Sequence, residues 1–530
     1  MPRIHRQEWL LALTLSLIIL IISGLPFLYG GLAAAPGQRF SGFVIGLEDG
    51  NSYLAKMQQG RSGYWLFRLA YTPEPHRAEP FFIFYISLGK IAGMLNLPNP
   101  LMLHLSRLVT IPFGLLAFYY FSAYFIDRIR VRQLALLIFG LTGGLGWLWV
   151  ALGGTSELGR MPVDLWVPDA SFFLTTLTFP HLPLAQGLLL LFSLFGLEFV
   201  RRGRSGVGVA AAGCGLVISL IHPHTVPVMT VILGLYILWQ SYTRKKLLFS
   251  WLLRLGLIIL PALPYLSYVL VVFNRNPAFV AWRNQSLTYS PAPLHYLLGF
   301  GITFVCALLG LSLTWRGADS KYRFLHIWTL SVPLLVYLPI ALQRRFLDGY
   351  QAPLVVLATI GLVWLVQKIP NPRWQFRLVA ASLVLMSLTN VLLLGGALMT
   401  IARRSNAVFL PQSEVEAAQW LATTTRQNVV LAAYQTGNYL PTVADVRSFV
   451  GHGPETVEAD RKNSLVTEFF SGGDDHFRRQ LLNDYEVNFL YYGPAERALG
   501  NFSPGAAPYL ERVYDNGSVQ IYRVVAPGDD

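Results

Sequence analysis

Apolar runs of about 18 residues or more recur along this chain. Each is long enough to cross the roughly 30 Å hydrocarbon core of a bilayer as a helix. The first runs from about Trp9 to Leu28. Of the 530 residues 54% are hydrophobic and only 13% charged, whereas about a quarter are charged in a soluble domain. A soluble enzyme is excluded, and a polytopic α-helical membrane protein is expected. The first run lacks a clear small-x-small cleavage site apart from Ala33-Ala34-Ala35, so it reads as a retained span rather than a signal peptide. The two cysteines, Cys214 and Cys306, each lie inside an apolar run and give neither a disulfide framework nor a zinc motif.

Net charge is +13, yet residues 402–530 carry 11 Lys/Arg against 16 Asp/Glu. The basic excess therefore lies wholly in the apolar part, which points to cytoplasmic loops rather than to nucleic acid. Basic clusters fall at Arg3 and Arg6, Arg128 to Arg132, Arg201 to Arg204, Arg244 to Lys246, Arg316 with Lys321 and Arg323, and Lys368 with Arg373 and Arg377. Adjacent clusters bracket two apolar runs each. About eleven spans follow, at 9–29, 100–125, 133–152, 181–199, 206–221, 225–241, 249–272, 296–314, 324–342, 352–367 and 378–400. The N-terminus then lies in the cytoplasm and the C-terminal segment outside. One further run, "PFFIFYISLGKIAGML" at 80–95, would invert every later cluster if it crossed, so a helix lying at the outer surface is expected there.

This places a transmembrane domain at 1–401, with a first outer loop at about 30–99, and a small extracytoplasmic α/β domain at 402–530. In the latter, Ser413 and Glu416 are spaced as a capping box at a helix start. "NVVLAAY" and "VNFLYYG" read as strands, "DDHFRRQLLNDY" as a helix, and "RVYDNGSVQIYRV" as a hairpin turning at Asn516-Gly517.

The outer loops collect the chemistry. Glu48 and Asp49 adjoin one another just after the first span. Such a pair is either a solvated turn, or two acids that hold a divalent cation or take a proton from a hydroxyl. "HPHT" sets His222 and His224 at a span end, where imidazoles suit a metal, a phosphate or simply the interface. Arg344 and Arg345 lie on the outer side against the charge rule. They form a fork for phosphate oxygens or a snorkelling pair among headgroups. Asp169 in "WVPDASFF" precedes an apolar run, as a helix N-terminal residue or a site acid.

Together these features resemble the type-C glycosyltransferases, which include protein O-mannosyltransferases, the aminoarabinose transferase of lipid A and the oligosaccharyltransferases. Glu48-Asp49 is similar to the family's first-loop acidic motif, "EPFFIFYISLGKIAG" to its surface helix, "HLSRLVTIPFGLLAFYY" to the following span and "PDASFF" to the acidic entry of a later span. Neither an Asp-x-Asp motif nor a Trp-Trp-Asp signature is present. The resemblance implies a sugar donor on polyprenyl phosphate and a lipid, glycan or protein acceptor on the extracytoplasmic face. Arg344 and Arg345 would bind the donor phosphate, and Asp49 or Glu48 would be the base. The resemblance gives "HPHT" no role; by residue type alone Asp169, His222 and His224 are candidates to contact a metal or substrate, a divalent cation such as Mg or Mn being one candidate. A lipid flippase and a non-catalytic envelope scaffold are the competing readings; acids and arginines gathered at one face, without repeated halves, argue against a transporter.

Overall fold

A computed structural model of the chain describes residues 2, 4–315, 320–406 and 408–525. Arg3 and Arg316, two of the basic residues used to orient the spans, lie outside the described residues. Among those described, six helices are long and apolar enough to cross a membrane: Arg6–Ala33, Asn99–Phe125, His181–Arg202, Thr225–Thr243, Pro293–Trp315 and Pro372–Ala402. A seventh span arises if Phe249–Ile259 and Leu263–Arg275 are counted together. They meet at a 64° bend, where Pro261 and Pro264 interrupt the helical hydrogen-bond ladder. The chain is a multi-pass, mainly helical membrane protein with a small sheet near its C-terminal end.

Length and composition thus carry seven of the eleven expected spans at most. The other four fall on shorter or broken helices. Residues 133–152 divide between Ile129–Leu141 and Gly146–Ala151, and the rest lie on Ser205–Ile221, Ser320–Leu335 and Gln351–Gln367. The run at 80–95 forms Ile83–Met94, a helix of 12 residues. At 1.5 Å per residue it is about 18 Å long, well short of a span.

The chain clusters into two compact units. The first comprises Met1–Pro26, Leu105–Tyr268 and Thr288–Leu398. Its aromatic core is close-packed, with Phe118 and Phe139 stacked at 3.9 Å and Trp328 fully buried. Within it, the buried Asp164 accepts hydrogen bonds from Gly144 N and Gly146 N, at 2.8 and 3.1 Å. It thereby ties the break at 142–145 to the short turn Val163–Leu165. Burial lifts this carboxyl to about 6 even though both amides oppose the shift. The Pro293–Trp315 helix kinks at Gly301, whose φ of 44° and ψ of −124° favour glycine.

The second unit comprises Phe27–His104, Val269–Leu287 and Met399–Asp530. Its C-terminal stretch thus groups with two earlier stretches of chain. In the first loop β1 (Gln38–Phe40) pairs antiparallel with β2 (Phe409–Pro411). A five-stranded sheet follows, built of β3 (Val429–Leu431), β4 (Arg447–Ser448), β5 (Val487–Tyr492), β6 (Leu510–Asp515) and β7 (Gln520–Val524), in the order β4-β3-β5-β7-β6. β3 runs parallel to both neighbours and is buried throughout, as a strand covered on both faces must be.

One local expectation is corrected. The Gln412–Thr424 helix begins after Pro411, and Ser413 lies inside it rather than capping it. The β6–β7 hairpin turns at Asn516-Gly517, in a connection that spans residues 516–519. The Asn516 side chain accepts from Ser518 N and Val519 N and organises the loop.

Two first-loop helices complete this unit, Leu47–Arg61 and Ile83–Met94. They touch backbone to backbone. A Cβ on Gly60 would stand 2.1 Å from Ile86 O, and one on Gly89 1.8 Å from Met57 O.

Candidate functional site

In the first unit, three connecting segments bring the expected residues together. Asp169 lies on the short turn Pro168–Ala170, with a side chain 3% exposed. Its Oδ2 is 3.6 Å from Arg345 Nη1, and Arg345 is 38% exposed. Burial raises the Asp169 carboxyl above the usual range, and Arg345 opposes that shift. Arg345 and Arg344 ride the one-turn helix Gln343–Leu347. The Arg344 guanidinium stacks 4.3 Å from the Trp166 ring centroid, a contact that holds a planar cation without neutralising it.

Asp348 follows directly, and sequence reasoning did not single it out. Its buried Oδ2 lies 3.1 Å from His222 Nδ1 and accepts from Thr225 Oγ1 at 2.9 Å. The "HPHT" turn thus clamps the segment that carries the arginines. His222 and His224 have ring centroids 4.0 Å apart, and His181 lies 5.8 Å from His222. Burial, then the charges of His222 and Arg345, push His224 well below the usual imidazole range. Three buried polar atoms here have no protein partner: Asp169 Oδ1, Asp348 Oδ1 and His224 Nε2. Even so, no group of three or more His, Cys, Asp or Glu among the described residues is arranged to hold a metal ion.

In the second unit, Glu48 and Asp49 occupy the first turn of the Leu47–Arg61 helix, where a carboxylate is favoured by the helix dipole. Glu48 Oε1 accepts from Tyr434 OH at 2.5 Å and from Gly453 N at 2.9 Å. Asp49 is 61% exposed, and its Oδ1 is 3.2 Å from Nε2 of the buried His452. Beneath them Ser52 and Lys56 both bond Glu455 Oε1, at 2.6 and 2.7 Å. The Lys56 ammonium, 1% exposed, sits 4.3 Å from the Phe82 ring centroid. Burial lowers Lys56, with Glu455 opposing. Burial alone would lift Glu455, but Lys56 and His452 hold it below its usual value. Burial also draws His452 down, but the Asp49 hydrogen bond and the Glu455 charge outweigh it and leave the imidazole raised.

No protein-family model and no curated protein matches the sequence. Solved structures do match. The apo oligosaccharyltransferase of Archaeoglobus fulgidus superposes over 98% of this chain and 75% of its own, at a TM-score of 0.56 and 13% identity. The arabinofuranosyltransferase AftD from Mycobacteria superposes over 99% of this chain and 42% of its own, at a TM-score of 0.53 and 14% identity. The chain shares its fold with these two solved glycosyltransferases.

Of the residues in these two clusters, the sequence had singled out the acid pair, the arginines, Asp169 and the histidines. It had not singled out Asp348, Tyr434, His452 and Glu455. "FLDGY" carried a weak signal for Asp348, an acid three positions beyond a basic pair in a short loop. "GHGPE" carried one for His452 and Glu455, a glycine-rich histidine turn between two otherwise regular stretches. Tyr434 had none: its hydroxyl reaches Glu48 across 386 positions of sequence.

Proposed function

We propose that the chain is a membrane glycosyltransferase. It moves a sugar from a polyprenyl-phosphate donor to a hydroxyl of a lipid, glycan or protein acceptor on the extracytoplasmic face. The observation that carries this reading is the likeness of fold, over 98–99% of the chain, to two solved glycosyltransferases.

The first unit supports the donor side. An apolar cavity of about 310 Å³ is lined by Tyr296, Phe300, Phe304, Val336, Leu347 and Tyr350, among others. Leu347 closes the same turn that bears Arg344 and Arg345. An isoprenoid chain suits the cavity, and its phosphate suits the guanidinium fork. The second unit supports the acceptor side, where Asp49 keeps most of its surface in solvent while Glu48 is engaged by Tyr434 and Gly453.

In the proposed reaction Asp49 takes the proton of the acceptor hydroxyl. The hydroxyl oxygen bonds to the anomeric carbon as the bond from that carbon to the phosphate oxygen breaks. Polyprenyl phosphate leaves with the electron pair. The direct test supplies purified full-length protein in liposomes with radiolabelled polyprenyl-phosphate mannose, glucose or arabinose and a membrane extract as acceptor source. Label in a new product supports the reading. Label that crosses the bilayer without leaving its lipid overturns it in favour of a flippase.

A further inference from the structure

We propose that His452 is a positioning residue for Asp49: its buried imidazole donates from Nε2 to Asp49 Oδ1 and fixes the carboxylate in one orientation. This rests on the reading of Asp49 as the base.

Each edge of the ring has a defined partner. Nδ1 accepts from Glu455 N at 3.3 Å, so the proton belongs on Nε2, which faces Asp49 at 3.2 Å. The ring plane stacks against Tyr71, with centroids 5.5 Å apart and 29° between planes. Tyr71 is itself pinned by a 3.1 Å bond from its hydroxyl to Asn438 O. The histidine's own loop is closed by Thr456 N donating to His452 O at 2.8 Å, and Gln285 Nε2 straps the loop by donating to Thr456 O at 2.7 Å. His452 is 5% exposed against 61% for Asp49. The imidazole therefore stands behind the carboxylate and does not compete with it for an acceptor.

The neighbouring acid makes the division of labour clear. Glu48 is held by a phenol and a backbone amide on one oxygen, which suits an anchor. Asp49 has a buried donor that approaches from the protein side. An aspartate on the first turn of a helix has several rotamers open to solvent, and such a donor selects among them. The charged and titratable groups around the ring are Asp49, Glu48 and Lys56 from the Leu47–Arg61 helix, Glu455 from its own loop, and the phenols of Tyr71 and Tyr434.

The test compares His452→Phe, which keeps the stacked ring and deletes the donor, with His452→Gln, which restores an N–H of similar reach. Each is made alone and with Asp49→Asn, in the full-length protein. Transfer is read with whichever radiolabelled polyprenyl-phosphate sugar the parent uses. His452→Phe is expected to lower kcat about tenfold, the scale of one hydrogen bond to a charged group, with the donor KM within about twofold. His452→Gln should recover most of that loss. In the Asp49→Asn background His452→Phe should cost nothing further, because there is no carboxylate left to position. If His452→Phe fails to fold, His452→Met takes its place. Equal losses in the two Asp49 backgrounds, or a His452→Gln variant no better than His452→Phe, overturn this inference alone. An Asp49→Asn variant that transfers at the parent rate overturns the base assignment and the positioning role together.

Discussion

Lys56 and Glu455 lie 399 positions apart in sequence and 2.7 Å apart in space, both nearly free of solvent contact. One belongs to the acid-pair helix, the other to the C-terminal sheet region. A buried pair that loses one partner strands a charge. Lys56→Ala and Glu455→Ala are each expected to destabilise the protein by about 3–5 kcal/mol. The paired apolar replacement Lys56→Met with Glu455→Leu should melt much closer to the parent. Thermal unfolding of the full chain in detergent measures this, and three variants with the same melting temperature would contradict it.

The same pair sets an acid limit. Glu455 is held below its unfolded value of 4.5. Its stabilisation is therefore complete above that value and is lost as pH falls through the lower, folded one. Apparent melting temperature should hold steady from pH 6 to about 5 and drop below pH 4.5. Glu455→Gln should flatten that drop; an unchanged slope would remove Glu455 as its source.

Arg344 and Arg345 are assigned to the donor phosphate. Alanine at either should weaken binding of polyprenyl phosphate about ten- to a hundredfold, the cost of a charge-assisted contact. Lysine should rescue only in part, because a point charge lacks the fork. Arg345→Ala also leaves the buried Asp169 without its cation, so adding Asp169→Asn should restore stability without restoring affinity. Unchanged affinity in the double alanine variant would reassign the pair to headgroup anchoring.

The two acids should behave differently. Asp49→Asn keeps shape and removes basicity, and a loss of about 10²–10⁴ in turnover is expected, with donor binding little changed. Glu48→Gln keeps an acceptor for Tyr434 and Gly453 and should lose far less. Equal losses would mean that both carboxylates meet the acceptor.

Orientation is testable in intact cells. A cysteine at Lys245 should resist an impermeant thiol reagent, and one at Glu458 should react. Both positions are solvent-exposed, so protection reports sidedness rather than burial. Labelling at 245 would overturn the arrangement.

Local pattern made much of this legible. Apolar length announced the long helices, and turn chemistry with strand-like runs announced β3, β5 and the β6–β7 hairpin. Arg344, Arg345 and Asp169 stood out because charge is expensive beside a membrane. Breaks within spans were harder to read. The bend after Ile259 had prolines to mark it, but Gly301 is one glycine among many in apolar runs, and only the fold shows that a Cβ there would stand 2.8 Å from Leu145 Cγ. His452, Tyr434 and Glu455 were hidden for a different reason. Their roles come from pairings hundreds of residues apart, and no periodicity in a single sequence encodes which polar residue will meet which.

Gly60 and Gly89 give the acid pair a mechanical setting. Two helices whose backbones touch at two glycines cannot roll or slide past each other, so Leu47–Arg61 and Ile83–Met94 tilt as one stiff beam. Glu48 and Asp49 stand on the first turn of Leu47–Arg61, at one end of that beam. At the far end of its second helix, Met94 and Leu95 are 82% and 59% exposed. The distance between the carboxylates and that exposed apolar end is therefore set by the glycine seam.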